Sequence, residues 1–101
     1  MYKKDLGRLT MKANAFKALA HPSRIFILER LMEREYCVGE LTKLLGVEMP
    51  TVSKHLSILK NVGIISSRKA FNNVFYKIEK ECVKDTLACA EKGMKNKTER
   101  G

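Results

Sequence analysis

Two short amphipathic segments about four residues apart, followed at once by a change of period, constrain this chain most. Cys37 stands where a helix N-cap belongs, and Glu40, three residues on, is the acidic half of a capping box. Leu41, Leu44 and Leu45 then recur at helical spacing, and Gly46 is a good stop. This helix is about two turns long. After Val47-Glu48, Pro50 opens a second helix, with Val52, Leu56 and Leu59 as its inner stripe and an end near Val62-Gly63. The two helices with their turn make a helix-turn-helix. Beyond Gly63 the period drops to two. Ile64 to Lys69 and Val74 to Ile78 read as strands, with turn chemistry at Phe71-Asn72-Asn73. A hairpin placed directly after a helix-turn-helix is a wing.

The flanks are helical. A first helix is expected over about residues 9–20, with Phe16, Leu19 and Ala20 on its apolar side. It breaks at His21-Pro22, and Pro22 starts a helix that runs to about Arg34 with Ile25, Leu28, Leu31 and Met32 inward. The last helix is expected from Glu81 to about Lys95. Val83, Leu87, Ala90 and Met94 form one stripe, and Cys82, Thr86 and Cys89 the stripe beside it. The expected architecture is mainly α: about five helices and a two-stranded wing in one domain over 9–95. Residues 1–8 and 96–101 are expected to be flexible ends.

Charge gives the first hint of a partner. The net charge is +9, and residues 49–78 carry five basic residues and no acidic one. Such a stretch is an electrostatic footprint for a polyanion. On the second helix of the motif, Met49, Thr51, Ser53, Lys54 and His55 are early residues available to a major groove. Hydroxyls can bond bases or phosphates, and a Thr methyl can meet a thymine methyl. Lys54, Lys60, Arg68, Lys69 and Lys77 are candidate phosphate contacts, and Asn72 and Asn73 at the wing tip can reach a minor groove. The alternative for each lone lysine is plain solvation, and for His55 a satisfied helix histidine.

Other classes have little to build on. The chain has two Asp, two His and none of the common hydrolase, P-loop or dinucleotide-binding motifs, so no enzyme is expected. No apolar run approaches the roughly 20 residues of a membrane span, and the first twenty lack a signal peptide's apolar core. A cytoplasmic protein is therefore expected. Three cysteines without a CxxC pair argue against a zinc finger and against a disulfide framework. Cys37 at a helix start is a candidate reactive thiol, the alternative being a small buried hydrophobe. Cys82 and Cys89 lie seven residues apart, roughly 10.5 Å along one helix, too far for a direct bond.

The element order resembles the ArsR/SmtB family of winged-helix transcriptional repressors over about residues 9–92. Three segments carry the likeness: Leu19-Ala20-His21-Pro22-Ser23-Arg24, Cys37-Val38-Gly39-Glu40-Leu41, and Thr51-Val52-Ser53-Lys54-His55-Leu56 through Lys60 to Gly63-Ile64-Ile65. The resemblance implies a homodimer paired through the first and last helices, bound to double-stranded operator DNA and released by an inducer. It departs from the family where Ser-Gln often precedes the proline. Glu48-Met49 stands there instead, so the bidentate adenine contact of a Gln is lost.

The family suggests two sensors. One is a dithiol switch for reactive sulfur or oxidants, joining Cys37 to Cys82 or Cys89. The other is an arsenite or soft-metal site on Cys37, Cys82 and Cys89, although the family's second arsenic cysteine is Gly39 here. The Asp/His/Glu set of the zinc sensors is missing from the last helix. A reading of another class is a winged-helix protein–protein module with an incidental basic patch.

Overall fold

The computed structural model describes residues 2–100, with side chains described through Met94. Five helices and three short strands follow in the order α1 (Tyr2–Leu19), α2 (Pro22–Glu33), β1 (Tyr36–Cys37), α3 (Val38–Leu45), α4 (Met49–Asn61), β2 (Ile65–Ala70), β3 (Asn73–Ile78) and α5 (Cys82–Arg100).

The breaks are made by local chemistry. His21 caps α2: its Nδ1 accepts the Ser23 backbone N–H at 3.1 Å, and Pro22 sits in the first turn, where no N–H is needed. The capping box at α3 forms as the spacing predicts, with the Cys37 N–H donating to Glu40 Oε1 at 3.0 Å. That bond, and then Arg34, whose Nη2 lies 3.0 Å from Glu40 Oε2, hold the Glu40 carboxyl below its usual range. Gly46 ends α3 in the left-handed region (φ 69°). At the end of α4, the Gly63 N–H donates to Lys60 O (2.9 Å) and the Ile64 N–H to Leu59 O (3.1 Å). With Gly63 at φ 77°, this is a Schellman stop.

The core lies where these elements meet. Ile27 and Leu28 of α2, Leu41 of α3, and Val52, Leu56 and Leu59 of α4 are fully buried, with Ile65 and Ile78 of the sheet and Val83 of α5 closing over them. The α4 stripe is therefore the one its spacing predicts, and its opposite side faces outward.

Four expectations change. The sheet has three strands, in the order β1-β3-β2, because Tyr36 and Cys37 pair antiparallel with Tyr76 and Phe75. A two-residue strand has too little length to show a period. The first helix starts at Tyr2 rather than near residue 9, through the segment expected to be flexible. Asp5 sits in its first turn, favourable for the helix dipole, and pairs with Arg8 at 3.6 Å. Leu44 and Phe16, expected inward, are exposed: α3 is short enough that Leu41 alone is fully covered, and only the end of α1, at Ala18, is buried. Finally, α5 continues to Arg100 beyond the expected end at 95, while the side chains of the expected flexible tail, 96–101, lie outside the described residues.

Candidate nucleic-acid interface

Burial of the Val52-Leu56-Leu59 stripe decides which α4 side chains are free to meet a ligand. Met49, Thr51, Ser53, Lys54 and Lys60 are all exposed on the open side. Lys54 makes no ion pair among the described residues, and Lys60 Nζ donates to Ser67 Oγ at 2.7 Å, tying α4 to the wing. The wing carries Lys69, Asn72 and Asn73, all exposed. Ala70 pairs with Asn73, so Phe71 and Asn72 alone make the loop. Their φ values of 52° and 63° are those of the primed turns that match strand twist.

Two of the expected contacts are engaged elsewhere. Arg68 Nε donates to Glu35 Oε1 at 2.8 Å, and its guanidinium lies 5.3 Å from the Phe75 ring centroid. Lys77 Nζ lies 3.8 Å from Glu79. Both pairs are open to solvent, so each holds its cation only weakly.

Of the two readings of His55, the buried and hydrogen-bonded helix histidine is the one the structure bears out, and the outward-facing DNA contact is corrected. The side chain is 8% exposed, and its ring lies 4.5 Å from that of His21, tilted by 52°. Arg24 Nε donates to His55 Nδ1 at 3.1 Å, so that nitrogen carries the lone pair. Arg24 Nη1 also donates to Lys17 O (3.1 Å) and Ala18 O (3.3 Å), carbonyls in the last turn of α1. One guanidinium thus joins α1, α2 and α4. Burial first, then the charges of His21, Arg24 and Lys54, push the His55 imidazole below its ordinary pKa, so it stays neutral. Sequence reasoning missed Arg24 because its partners lie on two other helices.

The cysteines are spread out. Cys37 is half-buried on β1, while Cys82 and Cys89 are exposed on α5, and all three are free thiols. Among the described residues no three His, Cys, Asp or Glu side chains come together as metal ligands. The three-thiolate centre that arsenite or a soft metal needs does not fit within one chain. Among the described residues no helix is long and apolar enough to cross a membrane.

The arrangement is a helix whose buried stripe leaves its other side open, beside a cationic hairpin. The family model described as "Bacterial regulatory protein, arsR family" matches residues 21–67. An uncharacterised HTH-type transcriptional regulator of Mycobacterium tuberculosis, Rv0081, is 41% identical over 83 residues, covering 81% of this chain and 73% of that relative. The chain belongs to the ArsR family. The crystal structure of Rv0081 superposes on this ArsR-family chain with a TM-score of 0.82 at 36% identity, covering 91% of this chain and 93% of that one. A homodimeric winged helix-turn-helix DNA-binding domain from Mycobacterium bovis gives a TM-score of 0.85 at 26% identity, covering 100% and 94%. The biofilm growth-associated repressor of Xylella fastidiosa is 38% identical over 66 residues, covering 65% of this chain and 58% of that relative. As an ArsR-family member, the chain is a winged-helix DNA-binding transcription regulator.

Proposed function

We propose that this regulator is a homodimeric repressor that reads operator DNA with α4 and the wing and releases it when its thiols are oxidised. The observation that carries the DNA half is the open face of α4. Thr51, Ser53 and Lys54 are exposed over a fully buried stripe, within thirty residues that hold no acid. In this reading Thr51 and Ser53 meet base edges and Met49 lends apolar surface. Lys54, Lys60 and Lys69 neutralise phosphates, and Asn72 and Asn73 address the minor groove. Arg68 and Lys77 join by exchanging carboxylate for phosphate. The Xylella relative is itself described as a repressor.

Dimerisation is supported by apolar surface left over after folding. Leu6, Leu9, Met11 and Phe16 of α1 are exposed, and Ile25, Phe26, Leu87 and Ala90 line a groove of about 610 Å³ between α2 and α5. The radius of gyration is 15.5 Å, against about 13 Å for a compact chain of this length. A chain less compact than its length allows leaves surface for a second copy to cover. The Mycobacterium bovis neighbour is described as homodimeric. Two copies imply half-sites about 34 Å apart.

The switch half rests on three free thiols, of which Cys82 and Cys89 stand exposed on a helix this reading assigns to pairing. Those two are too far apart along α5 to bond each other. That leaves Cys37 with an α5 thiol, or α5 thiols linked across the dimer, and the family resemblance favours the bond that joins Cys37 to Cys82 or Cys89. Two thiols each give up a proton and together two electrons to a persulfide or peroxide, which is reduced. The test is to add a persulfide donor to the reduced protein on duplex DNA and map the cysteines by non-reducing mass spectrometry. The expected result is release of DNA with Cys37 linked to Cys82 or Cys89. Cys37→Ser is expected to bind duplex normally and to stay bound. Release by that variant, or three freely alkylated thiols after treatment, would refute the switch.

A further inference from the structure

The tip of the wing carries a residue that the contacts above leave without a task. Phe71 is 93% exposed. A lone exposed aromatic is ordinary, but this one stands at φ 52°, in the left-handed region that bulky side chains avoid. The turn formed by Phe71 and Asn72 favours Asn, Asp or Gly at both positions. Asn72 suits it and Phe71 does not. Among the described residues no hydrophobic cluster receives the ring. Folding therefore gains nothing visible from a phenyl group here, and the turn would close more easily without it.

The surroundings select the occupant. Lys69 lies on the strand leading into the turn, Asn72 and Asn73 supply amides beside the ring, and no acid occurs between residues 49 and 78. An aromatic ring flanked by amide donors at the end of a cationic arm fits the minor groove. That groove offers negative potential, acceptors for amides along its floor, and base steps that an apolar wedge can part. The reach also fits. Each wing strand has six residues, roughly 20 Å at about 3.3 Å per residue. Half a turn of duplex, from the major groove read by α4 to the next minor groove, is about 17 Å.

We propose that Phe71 is a DNA-inserting wedge. On the operator its ring enters the minor groove flanking the site read by α4 and stacks against an unstacked base step, bending the duplex. Lys69 meets the adjacent phosphate, and Asn72 and Asn73 meet groove-edge acceptors. The inference rests on the operator-binding reading and makes flexible pyrimidine–purine steps at the wing position the preferred ones.

The test uses a 30-base-pair duplex enriched from a random pool by the wild-type chain and labelled at its ends for energy transfer. Phe71→Asn suits the left-handed turn and is expected to melt no lower than wild type. It should bind about thirtyfold or more weakly, the loss of one stacked base at each of the dimer's two wings. It should keep the salt slope, since no charge is removed, and lose the shortened end-to-end distance. Phe71→Trp is expected to keep affinity and bend. Wild-type affinity and bend in Phe71→Asn overturn the wedge while leaving operator binding intact. Loss of dimer with DNA affinity per dimer unchanged places the ring against protein and overturns it too. No salt-dependent duplex binding by the wild type overturns the operator reading and the wedge together.

Discussion

Replacing Arg24 by Met removes a guanidinium that bonds three helices while keeping most of its stem. The lost bonds run to His55 Nδ1 (3.1 Å), Lys17 O (3.1 Å) and Ala18 O (3.3 Å). The Lys17 bond is exposed and counts for little. The other two are partly buried, and bonds to a charged donor contribute about 1.5–3 kcal/mol each when well sheltered. Half-burial of Arg24 argues for the low end, so the expected loss is about 2–4 kcal/mol. Against a domain stability of about 5–15 kcal/mol, this is a large fraction, read as a melting point lower by about 10–25 °C. The pH dependence is more diagnostic. The folded-state pKa of His55 is depressed, by burial first and then by His21, Arg24 and Lys54. Folding thus favours the neutral imidazole. That stability is complete above the unfolded value of about 6.5 and is lost as pH falls through the folded value. Without Arg24 one depressing charge is gone, the folded pKa rises toward the ordinary value, and less stability is lost on acidification. Urea melts at pH 7.5 and pH 5 should show the gap between wild type and Arg24→Met narrowing in acid. A gap below about 1 kcal/mol at pH 7.5, or one that widens in acid, would refute the reasoning.

Other outcomes follow from single contacts. Glu35→Ala releases Arg68 from its solvent-open pair, so affinity should rise by up to about fivefold per half-site, given that such pairs contribute less than about 1 kcal/mol. Unchanged affinity and salt slope would remove Arg68 from the interface. Gly63→Ala forces a Cβ onto a φ of 77° and should cost about 1–2 kcal/mol in a urea melt, with no clash to add to the strain. Leu56→Ala, at a fully buried position, should cost about 2–5 kcal/mol, checked by the same melts.

Legibility in the sequence tracked how local each cause was. The Val52-Leu56-Leu59 stripe, the Cys37–Glu40 cap and the Gly46 and Gly63 stops depend on neighbours within one turn, and all formed where spacing placed them. The acid-free run from 49 to 78 likewise needed only counting, and it marks the same face the fold leaves open. What was missed depends on distant partners. Tyr36 and Cys37 become a strand only because β3 returns beside them. His55 shares its helix's polar composition but faces His21 and Arg24 across the α2–α4 contact. Its spacing was legible all the same: positions 52, 55, 56 and 59 are i, i+3, i+4 and i+7, one helical face, and Lys54 lies off it. Phe71 was legible as part of a turn, but its positive φ and its exposure emerge only from the Ala70–Asn73 pairing.

In the proposed complex the open face of α4 and the wing hold duplex DNA through their cations, so binding should depend steeply on salt. Lys54 and Lys69, free of ion pairs among the described residues, would supply four phosphate contacts in the proposed dimer on its operator. The logarithm of the binding constant should therefore fall against the logarithm of salt with a slope of about −3.6 or steeper. Changing both lysines to Gln should bring the slope toward zero by about that amount. A wild-type slope near zero, or a steep slope that the double substitution leaves unchanged, would contradict the account.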